Sequence, residues 1–235
     1  MHYIFSIEGS IGSGKSTYIK HLMKTLNIIN GNKVIYLLEP IDVWESIKDL
    51  ENKNIIEKFN KNQFKYAFSF QMMAYISRIN QLRECINKNP NSIIITERSV
   101  FTDKNVFAKM LYDDNKIEEI EYKIYLKWFD SFTKDLNICG IIYLDTNPDT
   151  CLNRIIKRNR LGENISLSYL HKCNKYHIDW IFKNNDIFNK TMVLDGNIVY
   201  YETPPKQWDK QFKEFINSYI KYNINDIDID NIHGC

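Results

Sequence analysis

The feature that most constrains this chain is Gly9-Ser10-Ile11-Gly12-Ser13-Gly14-Lys15-Ser16-Thr17, which fits the pattern Gly-x-x-x-x-Gly-Lys-Ser/Thr. It follows the apolar run Tyr3–Ile7 and opens a helix-compatible stretch, Ser16–Leu26, so strand, glycine loop and helix stand in the order a phosphate-binding loop requires. Glycines there let backbone N–H groups converge on phosphate oxygens, and the helix N-terminus adds the positive end of its dipole. Lys15 is placed to neutralise charge between the β- and γ-phosphates, and Ser16 to hold Mg²⁺. An ordinary Gly/Ser turn capping a helix would explain the composition of the segment, but not its spacing together with both flanking elements. The segment Gly9–Thr17 therefore implies binding of a nucleoside triphosphate.

A phosphate loop does not name a reaction, so the rest of the chain has to narrow the choice. At 235 residues the chain is long enough to bury a full core and is most simply one domain, 1–222, followed by a tail, 223–235. The 31 Lys and Arg against 29 Asp and Glu give a formal net charge of +2, with no block of like charge suited to nucleic acid, so a small substrate is favoured over a polymer. Cys85, Cys139, Cys151, Cys173 and Cys235 are scattered without a Cys-x-x-Cys pair or nearby His spacing, and read as reduced packing thiols rather than a zinc site or disulfide framework. The N-terminus enters the first strand without the regions of a secretory signal, and no apolar stretch approaches the roughly twenty residues that span a bilayer. A soluble, cytoplasmic protein without a membrane partner is expected.

Short apolar runs suited to buried parallel strands occur at Tyr3–Ile7, Val34–Leu38, Ser92–Thr96, Gly140–Leu144 and Thr191–Leu194. Between them helical periodicity marks Ser16–Leu26, Phe64–Asn87, Val100–Leu111, Ile117–Leu136, Pro148–Arg158, Leu167–Phe182 and Lys206–Tyr222. The alternation predicts an α/β fold, a doubly wound five-stranded parallel sheet flanked by helices. The last stretch, Asn223–Cys235, alternates Ile with Asn and Asp without a helical stripe and is expected to be flexible.

In an open α/β sheet, ligands bind beyond the carboxyl ends of the strands. Three of the five predicted strands end there in polar chemistry: the phosphate loop, Glu39, and Glu97-Arg98. A lone Glu after a strand can simply cap a loop, but two of them beside a phosphate loop suit phosphoryl transfer. One completes the Mg²⁺ shell and the other accepts a proton from an attacking hydroxyl. Gln71, Ala74 and Arg78, three and four residues apart, share one helix face that could read a planar polar ligand or could be a solvated edge. Arg154, Lys157, Arg158 and Arg160 form a basic cluster after the fourth strand, either a solvated face or a lid of cations over phosphates.

Together these motifs resemble the deoxynucleoside kinase family, in particular its deoxycytidine and deoxyguanosine kinase branch. The resemblance is carried by Gly9–Thr17, Glu39-Pro40-Ile41-Asp42-Val43-Trp44, Phe68-Ser69-Phe70-Gln71, Ser77-Arg78, Glu97-Arg98-Ser99-Val100, Asp103, Arg154–Arg160, Gly140–Leu144 and Leu194-Asp195, and covers the chain to about Asn197. It implies the P-loop kinase fold with an arginine-rich lid, and ATP or another nucleoside triphosphate with Mg²⁺ as cofactors. Glu39 then corresponds to the general base for the nucleoside 5′-hydroxyl, Arg98 to a residue steadying that region, and Ser16 and Glu97 to the Mg²⁺ site. Gln71, Arg78 and Asp103 correspond to the groups that bond the base, Glu163 to the one that takes the sugar 3′-hydroxyl, and Arg154, Arg158 and Arg160 to the lid. The segment Asp195–Val199 resembles the loop that frames the donor's base.

The sequence departs from the family at the sugar, where the usual Tyr has no counterpart. Phe59 lies nearest, in a loop one residue longer, and lacks the hydroxyl. The implied reaction is transfer of a γ-phosphoryl group to a deoxynucleoside, with deoxycytidine or a purine deoxynucleoside expected. A nucleoside monophosphate kinase is the enzymatic alternative, but thymidylate kinases usually carry Asp where Glu97 stands. A nucleotide-dependent switch is the non-enzymatic one, yet the sequence carries neither Asn-Lys-x-Asp nor Asp-x-x-Gly of a GTPase. The helices Phe64–Asn87 and Ile117–Leu136 carry more apolar residues than one buried face accommodates, and with the family's habit this predicts a homodimer.

Overall fold

The computed structural model describes residues 2–159, 165–200 and 203–230, with 185, 188 and 221–230 as backbone only. Five parallel strands form the sheet: β1 (Tyr3–Glu8), β3 (Asn32–Leu37), β4 (Ile93–Glu97), β5 (Gly140–Asp145) and β6 (Thr191–Asp195). The two-residue β2 (Ile28–Ile29) pairs antiparallel with β3, giving the order β2-β3-β4-β1-β5-β6. The five predicted strands are thus all present, and β2 is the addition. At two residues it is too short to show a period.

Both faces of the sheet are covered, which is why its strands read as nearly continuous apolar runs. Along β1, Phe5 and Ile7 point to one side, joining Ile93, Ile95, Ile142 and Leu144 under α1 (Lys15–Thr25) and α11 (Lys206–Asp230). Ile4 and Ile94 point to the other side, under α4 (Gln63–Lys88) and α7 (Glu119–Phe132), while Ile141 and Tyr143 meet α9 (Leu167–Phe182). Fully burying a side chain such as Phe5 contributes about 1.5–3 kcal/mol, so the period of two along each strand fixes its register and its layers.

Helix ends follow local chemistry. The side chain of Asn62 accepts from Lys65 N at the start of α4, and that helix stops at Asn89, before Pro90. Helix α8 (Pro148–Arg158) has Pro in its first turn and closes on Asn159 at φ 48°. Two short helices that periodicity did not reveal, α2 (Ile41–Ser46) and α3 (Ile55–Lys61), follow β3, and α10 (Asn185–Phe188) precedes β6. The expected helix Val100–Leu111 is interrupted: α5 (Val100–Thr102) runs into a π-helical stretch, Asp103–Ala108, before α6 (Lys109–Asp113). Helix α11, expected to end at Tyr222, continues as backbone to Asp230.

Candidate active site

A cleft of about 1080 Å³ opens at the carboxyl ends of β1, β3 and β4, more than one small ligand needs. The phosphate loop forms one part of it. Gly14 caps α1 at φ 104°, and Gly12, at φ 80°, lies so close to α8 that a Cβ there would meet the Cys151 carbonyl oxygen at 2.6 Å. Only glycine allows that approach. Lys15 is buried, and its ammonium donates to Ser10 O at 2.8 Å and to Ser13 Oγ at 3.4 Å. Burial, seconded by Arg98, lowers its pKa to about 8 against the pull of Glu97, Glu39 and Glu8.

Ser16 Oγ donates to Glu97 Oε1 at 2.5 Å, bringing a hydroxyl from the first turn of α1 against a carboxylate at the end of β4. These hard oxygen donors fit Mg²⁺, which binds through few protein ligands and keeps phosphate oxygens and waters for the rest. Arg98, the next residue, takes φ 60°. Holding a bulky residue in the left-handed region costs on the order of 1–3 kcal/mol, and such strain collects at functional sites. Here it turns the buried guanidinium back across the strand ends, where Nη1 donates to Glu39 Oε1 at 2.8 Å and Nη2 to Gly9 O at 3.3 Å. The guanidinium also lies 5.1 Å from the Phe107 ring centroid.

Glu39 receives a second cation. Arg78 Nη2 donates to the same Oε1 at 2.6 Å, Nη1 donates to Glu97 O at 2.8 Å, and Nε donates to Asp103 Oδ1 at 3.3 Å with Oδ2 3.0 Å away. Burial alone would raise the pKa of Glu39, but Arg98, Arg78 and Lys15 outweigh it and hold the carboxyl ionised well below the usual range. At Asp103 the balance is opposite: burial dominates the opposing pull of Arg78 and raises the pKa to about 6. Asp103 opens the π-helical stretch and lines the cleft, and such segments are frequent at functional sites.

Gln71, Ala74 and Arg78 are all buried and all line the cleft, so that face of α4 is not a solvated edge. Gln71 Oε1 has no hydrogen-bond partner, and Asp103 Oδ2 is engaged by the ion pair with Arg78 Nε at 3.0 Å. Around them the walls are aromatic. Trp44 meets Phe70 edge to face at 5.6 Å, and Phe59 stacks on Phe70 at 4.6 Å. Spacing alone assigns no role to these rings, although Trp44 and Phe70 lie inside the motifs shared with the family.

On the far side, Arg154 is held inside α8 and donates to Ser13 O at 2.9 Å and Ile198 O at 3.2 Å, tying the phosphate loop to the segment Asp195–Val199. Lys157 and Arg158 line the same cleft. Arg160 and Glu163 lie outside the described residues.

A glycine loop on a helix N-terminus, a Ser–Glu oxygen pair beside it, and a carboxylate facing an aromatic chamber define a phosphotransferase of the P-loop kinase class. Residues 5–222 match the family described as deoxynucleoside kinase. Over 200 residues the chain is 37% identical to a probable deoxycytidine kinase of Fowlpox virus (strain NVSL), covering 83% of this chain and 79% of the relative. It is 30% identical to the deoxycytidine kinase of Homo sapiens over 200 residues, 75% of this chain and 74% of that one. Against the mitochondrial deoxyguanosine kinase of Xenopus laevis it is 29% identical over 197 residues, 76% and 72% of the two chains. The chain belongs to the deoxynucleoside kinase family and is an ATP-dependent phosphotransferase of nucleoside salvage.

Proposed function

We propose that this chain transfers the γ-phosphoryl group of ATP, or of another nucleoside triphosphate, to the 5′-hydroxyl of a deoxynucleoside whose base carries an exocyclic amino group. The observation that carries this reading is a pair of buried acceptor oxygens lining the cleft: Gln71 Oε1, which has no hydrogen-bond partner, and Asp103 Oδ2, which keeps acceptor capacity beside its ion pair with Arg78 Nε. An amino group on cytosine, adenine or guanine has two N–H donors to give them, and Arg78 can donate to a ring nitrogen or carbonyl. Thymine offers a carbonyl and a methyl group instead. A buried acceptor left unpaired costs about 1–3 kcal/mol, which disfavours thymidine by about tenfold or more.

Glu39 orients the 5′-hydroxyl and takes its proton. Its carboxylate is held ionised, and a loose phosphoryl-transfer transition state needs position more than base strength, so two arginines on one oxygen serve the reaction by fixing the other. Arg98 steadies Glu39 against the phosphate loop through Gly9 O. Lys15 meets the β- and γ-oxygens, while Gly9, Ser10, Ile11, Gly12, Ser13, Gly14 and Thr17 cradle the phosphates. Ser16 and Glu97 would hold Mg²⁺, which when bound supplies charge neutralisation on the triphosphate oxygens. Arg154 and Arg158, with Arg160 beyond them, supply cations around the donor, and Glu163 takes the sugar 3′-hydroxyl.

The active form is a homodimer in the cytoplasm, with no nucleic-acid or membrane partner. Supporting the dimer, Ile120, Ile124 and Trp128 recur every four residues on α7 and are exposed, Trp128 at 48%. Ile76 on α4 is exposed as well, and Tyr75 Oη donates to Trp128 O at 2.9 Å, so the two helices lie side by side. Exposed apolar residues on neighbouring helices are usual at an interface between subunits. A panel of single deoxynucleosides and deoxynucleoside monophosphates, each with ATP and Mg²⁺, tests the reading. Turnover of amino-bearing deoxynucleosides is expected, and turnover of monophosphates alone would refute it.

A further inference from the structure

Trp44 and Ser77 both fall within the motifs that carry the family resemblance, and neither has a part in the reaction described so far. They are bonded to each other. The indole N–H of Trp44 donates to Ser77 Oγ at 2.8 Å, and Ser77 Oγ donates in turn to Ala74 O at 3.0 Å. Both side chains are buried.

The consequence lies in what each residue holds. Helix α2 is six residues long, has no side-chain cap, and buries Trp44 alone; Asp42, Val43, Glu45 and Ser46 are exposed. A helix that short has no stability of its own, so its place is set by what it docks on. Glu39 stands two residues before it. Ser77 immediately precedes Arg78, and the Trp44 ring lies 5.5 Å from the Arg78 guanidinium and edge-on to Phe70. One side-chain hydrogen bond therefore fixes the rotation of Trp44, the buried side chain of α2, against the face of α4 that carries Gln71, Ala74 and Arg78.

We infer that Ser77 is a positioning residue for the acceptor nucleoside, acting through Trp44, whose indole it holds as a rigid wall of the base chamber. The inference rests on the chamber being the acceptor site. Without the hydroxyl, the indole N–H is left buried and unpaired, which removes the bond that holds Trp44 in its place against the cleft. The donor site does not depend on this contact, because the phosphate loop and Arg154 bond to each other and to neither residue.

The test is steady-state kinetics with deoxycytidine and ATP, together with tryptophan emission read as wild type minus Trp44→Phe. Ser77→Ala is expected to raise the KM for the deoxynucleoside about three- to tenfold, the loss of one hydrogen bond, while the KM for ATP stays within about twofold. Ser77→Thr keeps the hydroxyl and restores most of the loss. Trp44→Phe removes the bond from its other side, so adding Ser77→Ala to it costs nothing further, and deoxynucleoside shifts the Trp44 emission of wild type. An unchanged deoxynucleoside KM in Ser77→Ala, or losses that multiply in the double variant, overturns the inference and leaves the acceptor assignment standing. Emission from Trp44 that answers to ATP and not to deoxynucleoside overturns both.

Discussion

Arg78 joins Glu39 to Asp103: its Nη2 lies 2.6 Å from Glu39 Oε1 and its Nε 3.0 Å from Asp103 Oδ2. The proposed base for the hydroxyl and the proposed reader of the nucleobase therefore share one guanidinium, with all three nitrogens engaged. Replacing Arg78 by Met together with Asp103 by Ala removes the acceptor that penalises thymine along with the cation bonded to it. The double variant should shift the ranking of kcat/KM toward thymidine, by about tenfold or more. A ranking unchanged from wild type in competition assays would contradict this account of the base chamber.

Glu39→Gln keeps the size and the hydrogen-bonding oxygen of the side chain but cannot take a proton. Turnover is expected to fall roughly 10²–10⁴-fold, the usual contribution of a positioned general base, with ATP binding preserved in equilibrium titration. Near-normal turnover would remove Glu39 from the mechanism.

Asp103 gives a dependence on pH. Its pKa is raised to about 6 by burial, so the folded protein holds a proton there at a pH where the unfolded chain, with an ordinary Asp, does not. Protonation turns the acceptor into a donor that no longer suits an amino group. The KM for deoxycytidine should therefore climb as pH falls below about 6, and Asp103→Asn should flatten that limb. A limb retained in Asp103→Asn would assign it elsewhere. The stability contribution has the opposite sign: the ionised form is the one burial penalises, so this site favours folding more as pH falls from about 6 toward 4.

Trp128→Glu places a charge in the middle of the exposed apolar row on α7. If that row is the subunit interface, light scattering at micromolar concentration should report a dimer for wild type and a monomer for the variant. A monomeric wild type would refute the dimer.

Much of the site could be read before the fold was known because its residues sit at points the sequence marks. Gly9–Thr17 is defined by spacing, and Glu39 and Glu97-Arg98 follow apolar strands. Gln71, Ala74 and Arg78 needed only helical geometry to be placed on one face. What could not be read depends on contacts across the chain or on backbone shape. Nothing local says that Arg78 reaches Glu39, that Arg98 adopts φ 60°, or that a π-helical stretch begins at Asp103. Helix α2 is too short to show periodicity. Helix α3 did carry a readable signal, the capping box in which Asn54 Oδ1 accepts from Glu57 N at 2.9 Å and Glu57 Oε2 from Asn54 N at 2.8 Å.

The most direct test of the central claim is a single reaction holding equal concentrations of deoxycytidine, deoxyadenosine, deoxyguanosine and thymidine with γ-labelled ATP and Mg²⁺. The ratios of labelled 5′-monophosphates give the ratios of kcat/KM without separate assays. The account predicts label in the monophosphate of an amino-bearing deoxynucleoside, at least about tenfold above thymidine monophosphate. Thymidine monophosphate as the leading product, or label released only as inorganic phosphate, would contradict it.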